Sequence, residues 1–276
     1  MSAATPKAPL SGTPATVATM RRDLAALGVQ PGMNLLVHTA LSRLGWVCGG
    51  AQAVIMALEA AIGSEGTLMM PTHTTDLSEP SFWQNPPVPQ DWWPIIRAEM
   101  PAFDPDLTPC PEMGIVADTF RKQSGVLRSA HPQVSFAARG PNASYLTAGH
   151  RLEACLGEGS PLARLYELGG YVLLLGVGHG NNTSIHLAEY RADFTGKRTI
   201  RTGAPIMIGD ERRWIVFVDL DWDDDDFPAV GNDFAADTGL LRRGPFGSGV
   251  GQLMPQRELV DYAGAWMERF RVPDEG

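Results

Sequence analysis

No C-x-x-C pair, no G-x-x-x-x-G-K-[ST] loop and no apolar run of membrane-spanning length occurs in the 276-residue sequence. The first absence leaves three widely spaced cysteines, Cys48, Cys110 and Cys155. They support neither a disulfide framework nor a cysteine-based zinc site, and fit a reducing cytoplasm. The second absence removes the common nucleotide-triphosphate loop. The third, with no apolar h-region near the start, speaks against a membrane span or a secretory signal. Positive charge is scarce too, with 22 Lys and Arg against 31 Asp and Glu and a net charge of −9. Such a surface is unsuited to nucleic acid, whose phosphates need basic residues. An acidic surface can steer a cationic substrate, although many cytosolic proteins are acidic without that purpose.

What is present is a globular composition, 44% hydrophobic and 19% charged, in a chain long enough to bury a core without staples. Residues 1–15, rich in Ala, Pro, Ser and Thr, read as a disordered leader, and 16–276 as a single domain. Spacing predicts a helix over 16–30 with Thr16 as its cap, then a short strand in "NLLVHTAL". "GGAQAVIMALEAAIG" is a glycine-bounded helix and "TLMMPTHT" a second buried strand. "YVLLLGVG" has the continuous apolar character of a central strand buried on both faces. "GIVADTFRKQSGVLRS" reads as helical up to Gly125, "ERRWIVFVDLDW" as a strand, and "QRELVDYAGAWMERF" as the last helix. The order predicts an α/β fold, a three-layer α/β/α sandwich around a mixed central sheet. Residues 76–111 break the pattern with Pro, Trp and Asn; this long irregular excursion is expected to line a pocket.

Several motifs fail on inspection. "GVGHGNN" lacks the third glycine of G-x-G-x-x-G, because position 181 is Asn. Ser248 lacks the outer glycines of a nucleophile elbow. "DLDWDDDD" has neither the glycine nor the glutamate of a calcium loop. His186 and Glu189 share a helical i, i+3 spacing, but no second such pair completes a metal site, so no metal is expected. What remains is "NNTSIHLAEYRA", which sets His186 in the first turn or two of a helix opened near Asn182 or Thr183. The positive end of a helix dipole suits a proton acceptor. Local spacing leaves two readings open, a working base or a histidine capped into the core.

Four segments follow one another in a recognisable order: "VHTALSRLGWVCGGAQAVIMALEAAIGSEGTLMMPTHT", "TPCPEMGIVADTFRKQSGVLRSAHPQVSFAARG", "GEGSPLARLYELGGYVLLLGVGHGNNTSIHLAE" and "GPFGSGVGQLMPQRELVDYAGAWM". Together, from about residue 16 to 270, they resemble the aminoglycoside 3-N-acetyltransferases, which are unrelated in fold to the GNAT acetyltransferases. The resemblance implies transfer of an acetyl group from acetyl-coenzyme A to the 3-amino group of a 2-deoxystreptamine aminoglycoside, as in antibiotic resistance. An alternative keeps the fold and the acetyl donor but takes a non-antibiotic amine.

The resemblance makes His186, in the "NTSxHxAE" motif, the catalytic base, and it points to Asp219, or else Asp221, as the carboxylate orienting it. It places His38, Thr39, Leu41 and Ser42 against the coenzyme, joined by Arg128, Ser129 and Phe136 from "RSAHPQVSF". His38 is also a second candidate for a catalytic effect. A polycationic acceptor needs carboxylates, for which Glu189, Asp221, Asp193, Asp76 and Glu112 are the candidates. The expected mechanism is direct attack with general-base help, with no acyl-enzyme. The expected assembly is a monomer or a homodimer in the cytoplasm.

Overall fold

The computed structural model describes residues 13–272. Most of the leader expected over 1–15 therefore lies outside the described residues. Its last residue is not loose: Ala15 is buried and forms a parallel bridge with Val47. Thr16 then caps helix α1 (Val17–Leu27) through a capping box with Thr19, and Gly28 closes the helix in the left-handed conformation. The chain continues through β1 (Asn34–Thr39), α2 (Gly50–Ile62) and β2 (Thr67–Pro71) into the irregular excursion. That stretch holds two 3-10 turns and one short helix, α3 (Trp93–Glu99). Next come α4 (Gly114–Phe120), β3 (Leu127–Arg128), β4 (Phe136–Arg139), α5 (Ala143–Thr147) and α6 (Pro161–Glu167). Helix α4 stops short of Gly125 because tight bonds from Lys122 N to Thr119 O and Gln123 N to Phe120 O turn the chain.

The third buried run is β5 (Tyr171–Leu175), followed by α7 (Ser184–Arg191). β6 (Thr199–Ile208), β7 (Glu211–Leu220), α8 (Phe227–Thr238), β8 (Arg242–Phe246), β9 (Gly249–Pro255) and α9 (Gln256–Phe270) complete the chain. Seven strands form a mixed sheet in the order β3-β4-β2-β1-β5-β9-β8. β1 runs parallel to β2 and β5, while the outer strands are antiparallel. Period-2 alternation divides each parallel strand between two cores. Leu35, Val37, Leu68, Met70, Leu173 and Leu175 face the core shared with α1, α2 and α4. Leu36, Met69, Val172 and Leu174 face the core built with α5 to α9. The result is the three-layer sandwich, and His38, two residues after Leu36, belongs to the α7 side.

β6 and β7 stay outside this sheet. They pair only with each other, Thr199 opposite Leu220 and Ile208 opposite Glu211, across a two-residue turn at Gly209 and Asp210. β7 therefore does not lie beside the strand that feeds His186. The hairpin instead holds the excursion: Phe103 N donates to Pro205 O at 3.1 Å, and Arg212 donates to Met100 O and Arg97 O.

Candidate active site

β1, β2 and β5 end at one edge of the sheet, the edge where ligands bind in open α/β sheets. Here it opens into a cavity of about 530 Å³. His38, Thr39, Leu41, Ser42, Glu112 and His186, all picked out by sequence, line it together. His186 lies in the first turn of α7, its N–H bonded to Thr183 O at 3.1 Å. The loop before the helix is anchored rather than open. Asn182 Oδ1 accepts from Ser184 N at 3.3 Å, and its Nδ2 donates to His179 Nδ1 at 3.4 Å. His179 in turn lies so close to α8 that a Cβ on Gly231 would come within 2.0 Å of its Cγ. A glycine at 231 is what lets this turn sit against the helix.

The His186 ring meets Phe227 edge-on, with centroids 4.7 Å apart, and tilts against Trp222 at 5.6 Å. Its Nδ1 lies 2.5 Å from Glu189 Oε2. That carboxylate is buried and doubly held, because Glu189 Oε1 accepts from Arg271 at 2.6 Å and from Asp223 N at 3.2 Å. Arg271 continues to Asp226 through two bonds of 2.7 Å and lies over the Phe194 ring. Burial would lower the pKa of Arg271, but hydrogen bonds to Asp226 and Glu189 outweigh it and raise the pKa. Removing the cation strips one partner from the buried Glu189, which keeps His186 and Asp223 N, and leaves the half-buried Asp226 without its ion pair. Arg271→Met is expected to destabilise the fold by about 1–3 kcal/mol, read as a lower urea midpoint at unchanged slope. A midpoint equal to the wild type's would show that Glu189 does not depend on this partner.

Asp219 does not reach His186. Its side chain accepts from Tyr190 Oη at 2.6 Å, Leu220 N at 2.8 Å and Cys155 N at 3.3 Å. Trp222 Nε1 completes this knot by donating to Tyr190 Oη at 2.8 Å. The expected pairing of Asp219 with the histidine is thus corrected: the hairpin turns that residue toward the side of α7 carrying Tyr190. Asp221 is no substitute. It lines an adjoining hollow of about 240 Å³ with Phe82 and Trp222, and pairs with Arg198 at 3.4 Å. The i, i+3 neighbour Glu189 shares the helix face with His186 and takes the place at its ring.

Other expected residues divide between the cavity and the interior. Glu112 is on the wall, accepting from Thr75 Oγ1 at 2.9 Å, and Asp224, which sequence reasoning missed, is there too. Asp193 and Asp76 are exposed and line neither hollow. Arg128, Ser129 and Phe136 are turned inward, away from the expected coenzyme contact. Arg128 donates to Thr72 O, Thr108 O and Ser135 Oγ, and burial lowers its pKa to about 10. Ser129 bonds His150 Nδ1 at 2.9 Å and Phe136 N at 2.9 Å, while Phe136 is fully buried in the core. His73 is the other residue missed; it continues the alternation of "TLMMPTHT" past the strand end and lines the cavity. Among the described residues, no group of three or more His, Cys, Asp or Glu is arranged to hold a metal ion, and no helix is long and apolar enough to cross a membrane.

The sequence model of the family described as aminoglycoside 3-N-acetyltransferase matches residues 36–268. The SPbeta prophage-derived aminoglycoside N(3')-acetyltransferase-like protein YokD of Bacillus subtilis (strain 168) is 42% identical, over 92% of this chain and 92% of its own. Aminoglycoside N(3)-acetyltransferase VII of Streptomyces paromomycinus is 39% identical over 94% and 93% of the two chains. Among solved structures, AAC-IIIb in a binary complex with CoASH superposes with a TM-score of 0.84 at 31% identity, covering 96% of this chain and 100% of that one. AAC-VIa bound to sisomicin gives 0.85 at 29% identity, over 95% and 100%.

Proposed function

The chain belongs to the aminoglycoside 3-N-acetyltransferase family of acyltransferases, and from that premise we propose that it moves an acetyl group from acetyl-coenzyme A to the 3-amino group of a 2-deoxystreptamine aminoglycoside. The observation that carries the chemistry is the 2.5 Å contact of His186 Nδ1 with the buried Glu189 carboxylate, beside a cavity that His186 lines. With Nδ1–H donated to Glu189, the tautomer is fixed and Nε2 is left bare to accept a proton. An amine that attacks a thioester must shed a proton as the new C–N bond forms. Nε2 takes that proton and returns it to the departing thiolate, so no acyl-enzyme is needed. Holding both substrates in one cavity supplies much of the remaining acceleration.

His38, Thr39, Leu41 and Ser42 are assigned to the coenzyme side, consistent with the CoASH-bound relative. Glu112 and Asp224 on the wall, with Asp221 in the adjoining hollow, are assigned to the cationic acceptor, consistent with the sisomicin-bound relative. The step uses no metal, and the acidic surface disfavours nucleic acid. A second reading keeps this chemistry and changes the amine; in its favour, the 42% identical relative is named only as acetyltransferase-like. Thiol release from acetyl-coenzyme A across a panel of aminoglycosides and unrelated amines separates the two. The first reading expects kcat/KM to be highest for an aminoglycoside whose product carries the acetyl group on N3 by NMR. A higher value for an unrelated amine would establish the second, and thiol release with no amine on the panel would sink both.

A further inference from the structure

His186 is not the only imidazole in the cavity. His38 and His73 also line it, and the Nε2 atom of each is buried with no hydrogen-bond partner among the described residues. A buried polar atom left unpaired costs about 1–3 kcal/mol, so these two, with Thr39 Oγ1 a third at the same site, point to a partner that arrives with the substrate. Register places both rings on the same side of the sheet as His186. His38 follows Leu36 by two residues on β1, and Leu36 faces the core built with α7. His73 follows Met69 by four along an extended chain that Thr72 N and Thr74 N keep bonded to Ser135 O and Gln133 O. Because Leu36 pairs with Met69 in the parallel ladder, His73 stands one step farther out than His38 on the neighbouring strand.

Resting on the acetyl-transfer reading, we infer that His38 and His73 bind the carbonyl oxygen of the thioester through their Nε2–H groups and hold the negative charge it acquires. Neither ring is suited to be a second base. Burial lowers the pKa of His38 to about 3, and burial with the nearby His38 and His186 rings lowers that of His73 well below the ordinary value. At neutral pH both are uncharged donors, and a neutral imidazole can polarise a carbonyl. Uncharged donors also avoid repelling a cationic amine. In the step, the amine lone pair forms the C–N bond and the C=O π pair moves to the oxygen held by the two N–H groups. His186 takes the amine proton; as the oxygen pair returns, the C–S bond breaks and the thiolate leaves with that proton.

The test uses the full chain and acetyl-coenzyme A isotope-labelled at the carbonyl carbon, with no acceptor present. Infrared difference spectra should show the carbonyl band moving to lower frequency on binding. That shift should shrink in His38→Ala and in His73→Ala and persist in His186→Ala. Each of the first two variants is expected to lose about 10²–10³-fold in kcat, while in His73→Ala the thermal shift with coenzyme A stays near the wild type's. His38→Gln, which keeps an N–H, should recover part of both signals, and His38→Leu, which has no donor, replaces His38→Ala if that variant does not fold. A band that does not move on binding, or moves as far in His38→Ala and His73→Ala as in the wild type with unchanged kcat, overturns the inference. If the band shifts but no amine supports thiol release, the acetyl-transfer reading fails while carbonyl binding stands.

Discussion

His186→Ala is expected to lower kcat about 10²–10⁴-fold with little change in KM. The ring takes a proton only as the bond forms, so its loss is felt in the transition state and hardly in the bound ground state. Glu189→Gln should act in the same direction, since the amide keeps the shape but not the charge that Nδ1–H and Arg271 now share. Because the carboxylate works through the ring, a His186→Ala/Glu189→Gln double variant should be little worse than His186→Ala alone. Steady-state thiol release measures all three. A His186→Ala enzyme that turns over near the wild-type rate would remove the general base from the mechanism, and a strictly additive double variant would separate Glu189 from it.

The second large effect is a loss of stability in mild acid. His131 and His150 are buried and neutral, their pKa values lowered by burial from 6.5 to about 3 and about 4. Each has a fixed tautomer. His131 Nδ1 accepts from Gln133 N and Val134 N, and His150 Nδ1 accepts from Ser129 Oγ while Nε2 faces Cys155 O. Protonation would set an N–H against two backbone donors at His131 and place an unpaired charge in the interior at both rings. The unfolded chain binds protons near pH 6.5 and the folded chain does not, so stability is full above that value and falls as pH drops toward the folded values. Two such histidines lose roughly 4 kcal/mol between pH 6.5 and pH 5 at about 1.4 kcal/mol per unit each. That is a large share of a typical domain's stability. Urea midpoints at pH 7 and pH 5 provide the measurement, and His131→Asn/His150→Asn should lessen the slope, the remainder coming from His38, His73 and His179, whose pKa values burial also lowers. A midpoint that stays level over this range would mean the rings titrate in the folded state.

Strands whose signal is continuous and local were legible in the sequence. β1, β2 and β5 appear as apolar runs because a strand covered on both faces needs no polar alternation, and α1, α2 and α9 are marked by caps and stripes. The placement of β7 was not legible. "ERRWIVFVDLDW" reads as a strand, but nothing local says that it pairs with Thr199–Ile208 rather than joining the sheet. That one long-range choice moved Asp219 from the histidine to Tyr190. Glu189 is visible as a helical neighbour of His186, but the sequence points to a carboxylate from the strand at the ring, which leaves Glu189 for the substrate. Arg271 had no local signal at all: it meets Glu189 from 82 residues away. Arg128 and Ser129 carried polar side chains suited to a ligand, and folding used them to satisfy the interior instead.

The knot of Tyr190, Asp219 and Trp222 gives the hairpin and α7 a shared optical handle. Trp222 donates to Tyr190 Oη on one side and lies against the His186 ring on the other, while also lining both hollows. An indole so placed has its emission set by the occupants of the two spaces. Among seven tryptophans, a Trp222→Phe difference spectrum would isolate that signal, so binding of donor and acceptor can be followed in real time without a label and without turnover.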